Sequence, residues 1–255
     1  MSVALSPPRP VHLDRLQVPV DRFQVPGLAA ICRARKIVAT LGGRFSLELG
    51  IDVDCNPDEI DRWALAATLL GNQTSTSIAM RTYRVLESAG IRTIHDARGT
   101  NREELASLLD EGGYGRFDKQ GASRLQNLAD VVADRYGGRL SILGEEEMDS
   151  HELEQALTDL PGWDGDTARL FLRELRGLWP AADVALDDRA AAAARHLRLP
   201  MGWETLTSLA AAAHLDFRDL EVGLLRLFAC HPFADCPGGE ECLLAAFDRD
   251  QFVHF

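Results

Sequence analysis

The residues whose types and spacing could do chemistry are Leu160-Pro161-Gly162-Trp163-Asp164-Gly165-Asp166-Thr167-Ala168, followed after one helix's worth of chain by Val184-Ala185-Leu186-Asp187-Asp188. A glycine turn that opens a helix offers free backbone N–H groups and the positive end of a helix dipole, so it can hold a phosphate without a basic side chain. A carboxylate just beyond that helix is then within reach of whatever the phosphate positions. Fixed in a water-poor cleft, it can stabilise developing positive charge and orient a water molecule. Asp187 is the first candidate and Asp188 the second. The same residues also suit a plain helix N-cap for the alanine-rich stretch that starts at Arg189, and the two roles can coexist.

Three upstream segments accompany the turn: Leu69-Leu70-Gly71-Asn72-Gln73-Thr74-Ser75-Thr76, Gly113-Tyr114, and Ala122-Ser123-Arg124-Leu125. In order and spacing, over roughly residues 57 to 198, these resemble the helix-hairpin-helix DNA glycosylases, the superfamily of endonuclease III and the adenine and alkylbase glycosylases. The resemblance implies an all-α, endonuclease III-like fold of two helical lobes with the helix-hairpin-helix at their junction. It implies a catalytic aspartate at Asp187 or Asp188, the latter because the linking segment is a few residues longer than usual. It further implies a Gln73 that fills the gap left by an extruded base, since the target atom is inaccessible inside a duplex. Gly162, Gly165 and Thr167 would meet the DNA backbone and Tyr114 would wedge or stack. A solvent-facing amide at Gln73 and a packed loop aromatic at Tyr114 are the alternatives.

Bifunctional members of that family use a hairpin lysine as Schiff-base nucleophile. Asp166 occupies that position, and a carboxylate cannot form the imine. Only two of the 27 basic residues are lysines, Lys36 and Lys119, and neither is in the hairpin. The resemblance therefore implies a monofunctional glycosylase of base-excision repair without efficient strand cleavage, acting on double-stranded DNA that contains a lesion. A catalytically weak or inactive damage-recognition protein on the same fold stays open, because Asp164 stands where the family has its second glycine, a place where positive φ and close phosphate approach would favour glycine.

Near the C-terminus Cys230, Cys236 and Cys242 fall within thirteen residues, where endonuclease III relatives carry a four-cysteine iron–sulfur loop. The last pair has the family spacing, but the first two family positions map to Arg226 and Phe233. A degenerate loop with no required cofactor and no metal ligand set is the expectation. Disulfides are not expected in a reducing compartment.

The elements that must position these groups read as helices. Asn56-Pro57-Asp58-Glu59 is a helix start, with a capping side chain, a proline at the first position and a reciprocal glutamate. Apolar spacing of three and four then predicts helices at about 27–41, 57–70, 75–88, 101–110, 119–136, 151–158, 166–178, 188–197, 203–213 and 217–229. Arg44 to Leu49 reads as a short extended piece, and the proline-rich first thirty residues as an extended arm. Residues 57–180 would form a six-helix barrel, and 1–56 with 181–255 the second lobe.

At 255 residues with 46% hydrophobic content the chain can bury a full core. It has no apolar run of about 20 residues and no basic-then-apolar start, so a cytoplasmic, nucleoid-associated monomer without membrane contact is expected. The net charge of -12 weighs against nucleic acid, since such proteins usually carry a basic face. Clusters at Arg33, Arg35, Lys36 and Arg44, at Arg116, Lys119 and Arg124, at Arg169, Arg173 and Arg176, and at Arg195 and Arg198 offset it, so weak, salt-sensitive DNA binding is expected.

Overall fold

The computed structural model describes residues 26–71, 75–114 and 118–242. Most of the expected N-terminal arm, and Gln73, lie outside them. The described residues contain twelve α-helices and no strand: α1 Leu28–Leu41, α2 Phe45–Glu48, α3 Pro57–Gly71, α4 Thr76–Ser88, α5 Asp96–Gly99, α6 Arg102–Gly112, α7 Asp118–Tyr136, α8 Ser150–Thr158, α9 Gly165–Arg173, α10 Asp188–His196, α11 Trp203–Ala212 and α12 Phe217–Cys230. No helix among them is long and apolar enough to cross a membrane.

Side-chain caps start most of the long helices. Asn101 accepts the Glu103 N–H at α6, and Asp149 with Glu152 forms a reciprocal capping box at α8. At α3 Asn56 accepts the Glu59 N–H as expected, but Glu59 turns away to accept the Asp52 N–H instead. Two departures are larger. Residues 44–49, expected to be extended, hold α2, because the Glu174 carboxylate accepts the N–H groups of Phe45 and Ser46 at 2.8 and 3.1 Å. That cap comes from 128 residues away, so no local pattern announces it. The helix expected over 166–178 ends at Arg173, and the chain turns through Gly177 at φ +77°.

Buried apolar side chains form two clusters. One runs from Leu49 to Ala182 and is centred on Trp63, Tyr83, Leu86, Leu105 and Phe171. The other joins Ala34 and Ile37 of α1 to Ala193, Leu209, Leu220 and Leu227 of α10, α11 and α12. Full burial of a side chain such as Phe171 stabilises by about 2 kcal/mol. Between the clusters lies a seam of buried charge. Arg44 bonds Asp54 and Asp219 at 3.0 and 3.1 Å, Arg218 bonds Asp54 and Asp216 at 2.8 and 2.6 Å, and Arg176 bonds Glu221 at 3.0 Å. Glu221 is fully buried and Arg44, Arg173, Arg176 and Arg218 nearly so. Three of the arginines expected to offset the acidic charge toward DNA, Arg44, Arg173 and Arg176, are thus spent inside the molecule.

Candidate active site at the hairpin

The hairpin between α8 and α9 is fixed from beneath and open above. Trp163 is buried, donates from Nε1 to Thr68 Oγ1 at 3.0 Å, and meets Phe171 edge-on at 5.3 Å. An aromatic pair of this kind adds about 1 kcal/mol to its burial. Gly162 sits at φ +83° with nothing within 4 Å of where a Cβ would stand, and Gly165 is equally clear. Among the described residues, neither glycine N–H donates to a backbone carbonyl.

Asp164 needs no glycine freedom, for its φ is -113°. It is the N-cap of α9, accepting the Thr167 N–H and hydroxyl, each at 2.8 Å. The Thr167 hydrogen bonds hold its carboxyl below the usual carboxylate range. The expectation that this position demands glycine is therefore corrected: an extended backbone here tolerates a side chain.

Thr167 and Tyr114, expected at the DNA, face inward. Thr167 is 1% exposed, its hydroxyl engaged by Asp164, and it presses on the end of α3 so closely that a Cβ at Gly71 would lie 2.1 Å from its Oγ1. Tyr114 is buried, and its hydroxyl donates to the Leu69 carbonyl at 2.9 Å. Both lock the last turn of α3, the point from which the segment carrying Gln73 departs. Neither is available to wedge between bases.

A cleft of about 630 Å³ opens between α8, α9 and the 183–189 segment, lined by His151, Glu154, Asp166, Arg169, Asp187 and Arg189 among others. The segment is held from behind: Arg176 donates to the carbonyls of Val184 and of Ala185, the latter at 3.3 Å, while its guanidinium lies over the Trp203 ring at 4.5 Å. Asp187 ends this segment as the N-cap of α10, accepting the Arg189 N–H at 2.9 Å. Its carboxylate also receives Arg189 Nε and Nη2 at 2.9 and 2.7 Å and Arg173 Nη2 at 3.3 Å. Burial alone would raise its pKa; the Arg189 hydrogen bonds and the two guanidinium charges outweigh that and lower it. Asp187 is therefore ionised at neutral pH, with its side chain 10% exposed. Asp188 is exposed and has no such partner set among the described residues.

Asp166, in the position of the family's lysine, is 70% exposed, and Arg189 Nη2 reaches to within 3.8 Å of it as well. Arg169 pairs with Glu154 at 3.2 Å. The mouth of the cleft is thus a set of paired charges with an acidic excess. Sequence reasoning missed Arg189 and Arg173. The signal for Arg189 was present: an aspartate N-cap with arginine two residues later recurs at Asp216 and Arg218, where the guanidinium folds back on the carboxylate in the same way, at 3.0 and 2.6 Å.

The C-terminal loop does not fit the four-cysteine iron–sulfur cluster that the resemblance implies, which takes four thiolates, and the two missing positions are otherwise engaged. Arg226 donates to Leu41 and Gly43 carbonyls and pairs with Glu48, while Phe233 stacks on His196 at 4.3 Å. Cys230 is exposed and apart from the cluster that does form, which comprises His196, His231, Cys236 and Cys242. His231, although adjacent to Cys230 in sequence, belongs to that group.

No protein-family model and no curated protein matches this chain. Solved structures are similar to it. One, a trapped endonuclease III–DNA covalent intermediate in an estranged-adenine complex, is 18% identical with a TM-score of 0.47, covering 85% of this chain and 94% of that one. Another, a non-covalent endonuclease III–DNA complex, is 22% identical with a TM-score of 0.46, covering 86% and 92%.

Proposed function

We propose that this chain is a monofunctional DNA glycosylase of base-excision repair, hydrolysing the N-glycosidic bond of a damaged or mispaired base extruded from duplex DNA. The observation that carries this reading is an ionised, nearly buried Asp187 in a cleft beside an open glycine hairpin. In the reaction the bond between the anomeric carbon and the base nitrogen breaks and its electron pair leaves with the base. Positive charge grows on the sugar, and Asp187 stabilises it. Water then adds to the anomeric carbon and its proton passes to the solvent or the departing base. Arg189, half exposed, exchanges Asp187 for a backbone phosphate as DNA enters, which uncovers the carboxylate. Asp166 offers no amine, so the abasic product is released uncleaved.

A second reading is a damage-recognition protein on the same framework without the chemistry. The repeat of the aspartate–arginine clamp at Asp216 and Arg218 favours it, since there the motif starts a helix and joins the ion pairs with Asp54 and Arg44, which are structural tasks. A panel of duplexes each carrying one lesion, incubated with the protein and then treated with alkali, separates the two. Alkali-labile sites that disappear in Asp187→Asn support the glycosylase. Retention of damaged duplex with no labile site across the panel supports the recognition protein. Absence of both rejects the pair.

A further inference from the structure

Beyond the hairpin chemistry, one cluster of metal-ligating side chains has no role in the proposed reaction. His196 lies in the last turn of α10, His231 immediately follows α12, and Cys236 and Cys242 follow the short 3-10 turns Phe233–Asp235 and Gly239–Glu241. One donor atom from each of the four comes within 4.8 Å of every other, and Cys242 Sγ is 3.6 Å from His231 Nε2. We propose that these four residues bind a single zinc ion in tetrahedral coordination.

The donor set is two thiolates and two imidazoles, the soft and borderline ligands that favour zinc. Zinc–sulfur and zinc–nitrogen bonds of about 2.3 and 2.0 Å place tetrahedral ligand atoms roughly 3.3–3.8 Å apart, so the site closes by small side-chain rotations. Among the described residues His196 Nε2 is buried without a hydrogen-bond partner, a cost that metal ligation removes. The ring is already oriented, stacked on Phe233 with planes 8° apart. The loop is shaped to reach it: Gly238, at φ +72°, passes so near that a Cβ would lie 2.4 Å from the His196 carbonyl oxygen. Four donors this close enclose one ion and leave no space for a four-iron cube. The ion would tie the C-terminal loop to the end of α10, the helix that Asp187 caps.

The test is metal analysis of the full chain, purified without a histidine tag and reconstituted with zinc sulfate. About one zinc per chain is expected, with cobalt(II) substitution giving the visible bands of a tetrahedral thiolate site. His196→Ala and Cys236→Ser should each lower bound zinc about fivefold or more while the helical circular dichroism persists, and Cys230→Ser should leave it unchanged. Zinc below about a tenth of an equivalent in folded wild-type protein overturns the proposal. So does iron with acid-labile sulfide, or full zinc retention in the His196→Ala, Cys236→Ser double variant. None of these readouts depends on glycosylase activity, so failure here leaves the hairpin reading standing.

Discussion

Arg189 folds back over Asp187 and grips it by two parallel hydrogen bonds, Nε to Oδ1 at 2.9 Å and Nη2 to Oδ2 at 2.7 Å. Bidentate pairing of this kind is among the stronger charge-assisted contacts. It fixes the carboxylate's rotamer and keeps it ionised. On the proposed function the carboxylate meets the sugar only when another anion takes Arg189.

Asp187→Asn tests both roles of the residue. Asparagine caps a helix as well as aspartate, but it leaves Arg173, which is 5% exposed, with Glu221 as its remaining acidic partner. Stability should fall by about 1–3 kcal/mol, and Asp187→Ala should cost about 1 kcal/mol more through loss of the cap. Denaturant unfolding of the two variants measures the difference. Base release, if present in the wild type, should vanish in both while damaged-DNA retention persists.

Asp166→Lys restores an amine where the family resemblance places one. The exchange of a negative for a positive charge at the hairpin should raise affinity for duplex with an abasic site and steepen its salt dependence by about one to two counterions. If the cleft seats the sugar, the amine condenses with the ring-opened aldehyde, losing water, and borohydride reduces the imine to a stable crosslink absent from the wild type. Tighter binding without a crosslink would mean that Asp166 does not face the sugar.

Glu174 sets a pH dependence of stability. Burial is the main cause that raises its pKa to about 7, against hydrogen bonds from Ser46 and Phe45, from a usual 4.5. Between these values the folded state holds the proton more tightly than the unfolded state, so stability falls as pH rises from 4.5 to about 7. The loss is on the order of 3 kcal/mol. Asp54, Asp187 and Asp216, whose pKa values are lowered, act in a different window, since their contribution is lost as pH falls below their usual 3.8. The maximum should lie on the acid side of neutrality. In Glu174→Gln the decline between 4.5 and 7 should flatten, which urea melts at a series of pH values would show.

Gly71→Ala should destabilise by about 1–3 kcal/mol, the cost of overfilling a close contact. The new Cβ would fall 2.1 Å from Thr167 Oγ1, 2.6 Å from its Cγ2 and 2.7 Å from its Cβ, so either α3 or α9 must shift. Thermal unfolding reports the loss. Reduced discrimination between damaged and intact duplex in the same variant would tie the end of α3 to Gln73.

What the sequence made legible was whatever is encoded locally. Caps such as Asn101 and Asp149 announce helix starts because the acceptor and the N–H it serves are three residues apart or fewer. The hairpin turn and the N-cap at Asp187 were legible for the same reason. Contacts across the chain were not. Thr167 closely follows the hairpin glycines and Tyr114 lies beside Gly113, which suggests exposure, yet Gly71 and Leu69 of α3 claim them. The arginines near 173 read as a basic cluster because their partner, Glu221, is some 45 residues away. Three cysteines close in sequence hid that His196, on a different helix, shares a cluster with only two of them.

The charged seam between the two cores has a consequence for how a duplex could be handled. Sliding one half past the other would take Glu221 away from Arg173 and Arg176 and leave it without a counter-charge, and unpairing a buried ion in this way costs about 3–5 kcal/mol. On the proposed function the two halves then act as a fixed jaw and the duplex supplies the deformation, so helices weakened by a mismatch, a missing base or a flexible step should be the cheapest to accommodate.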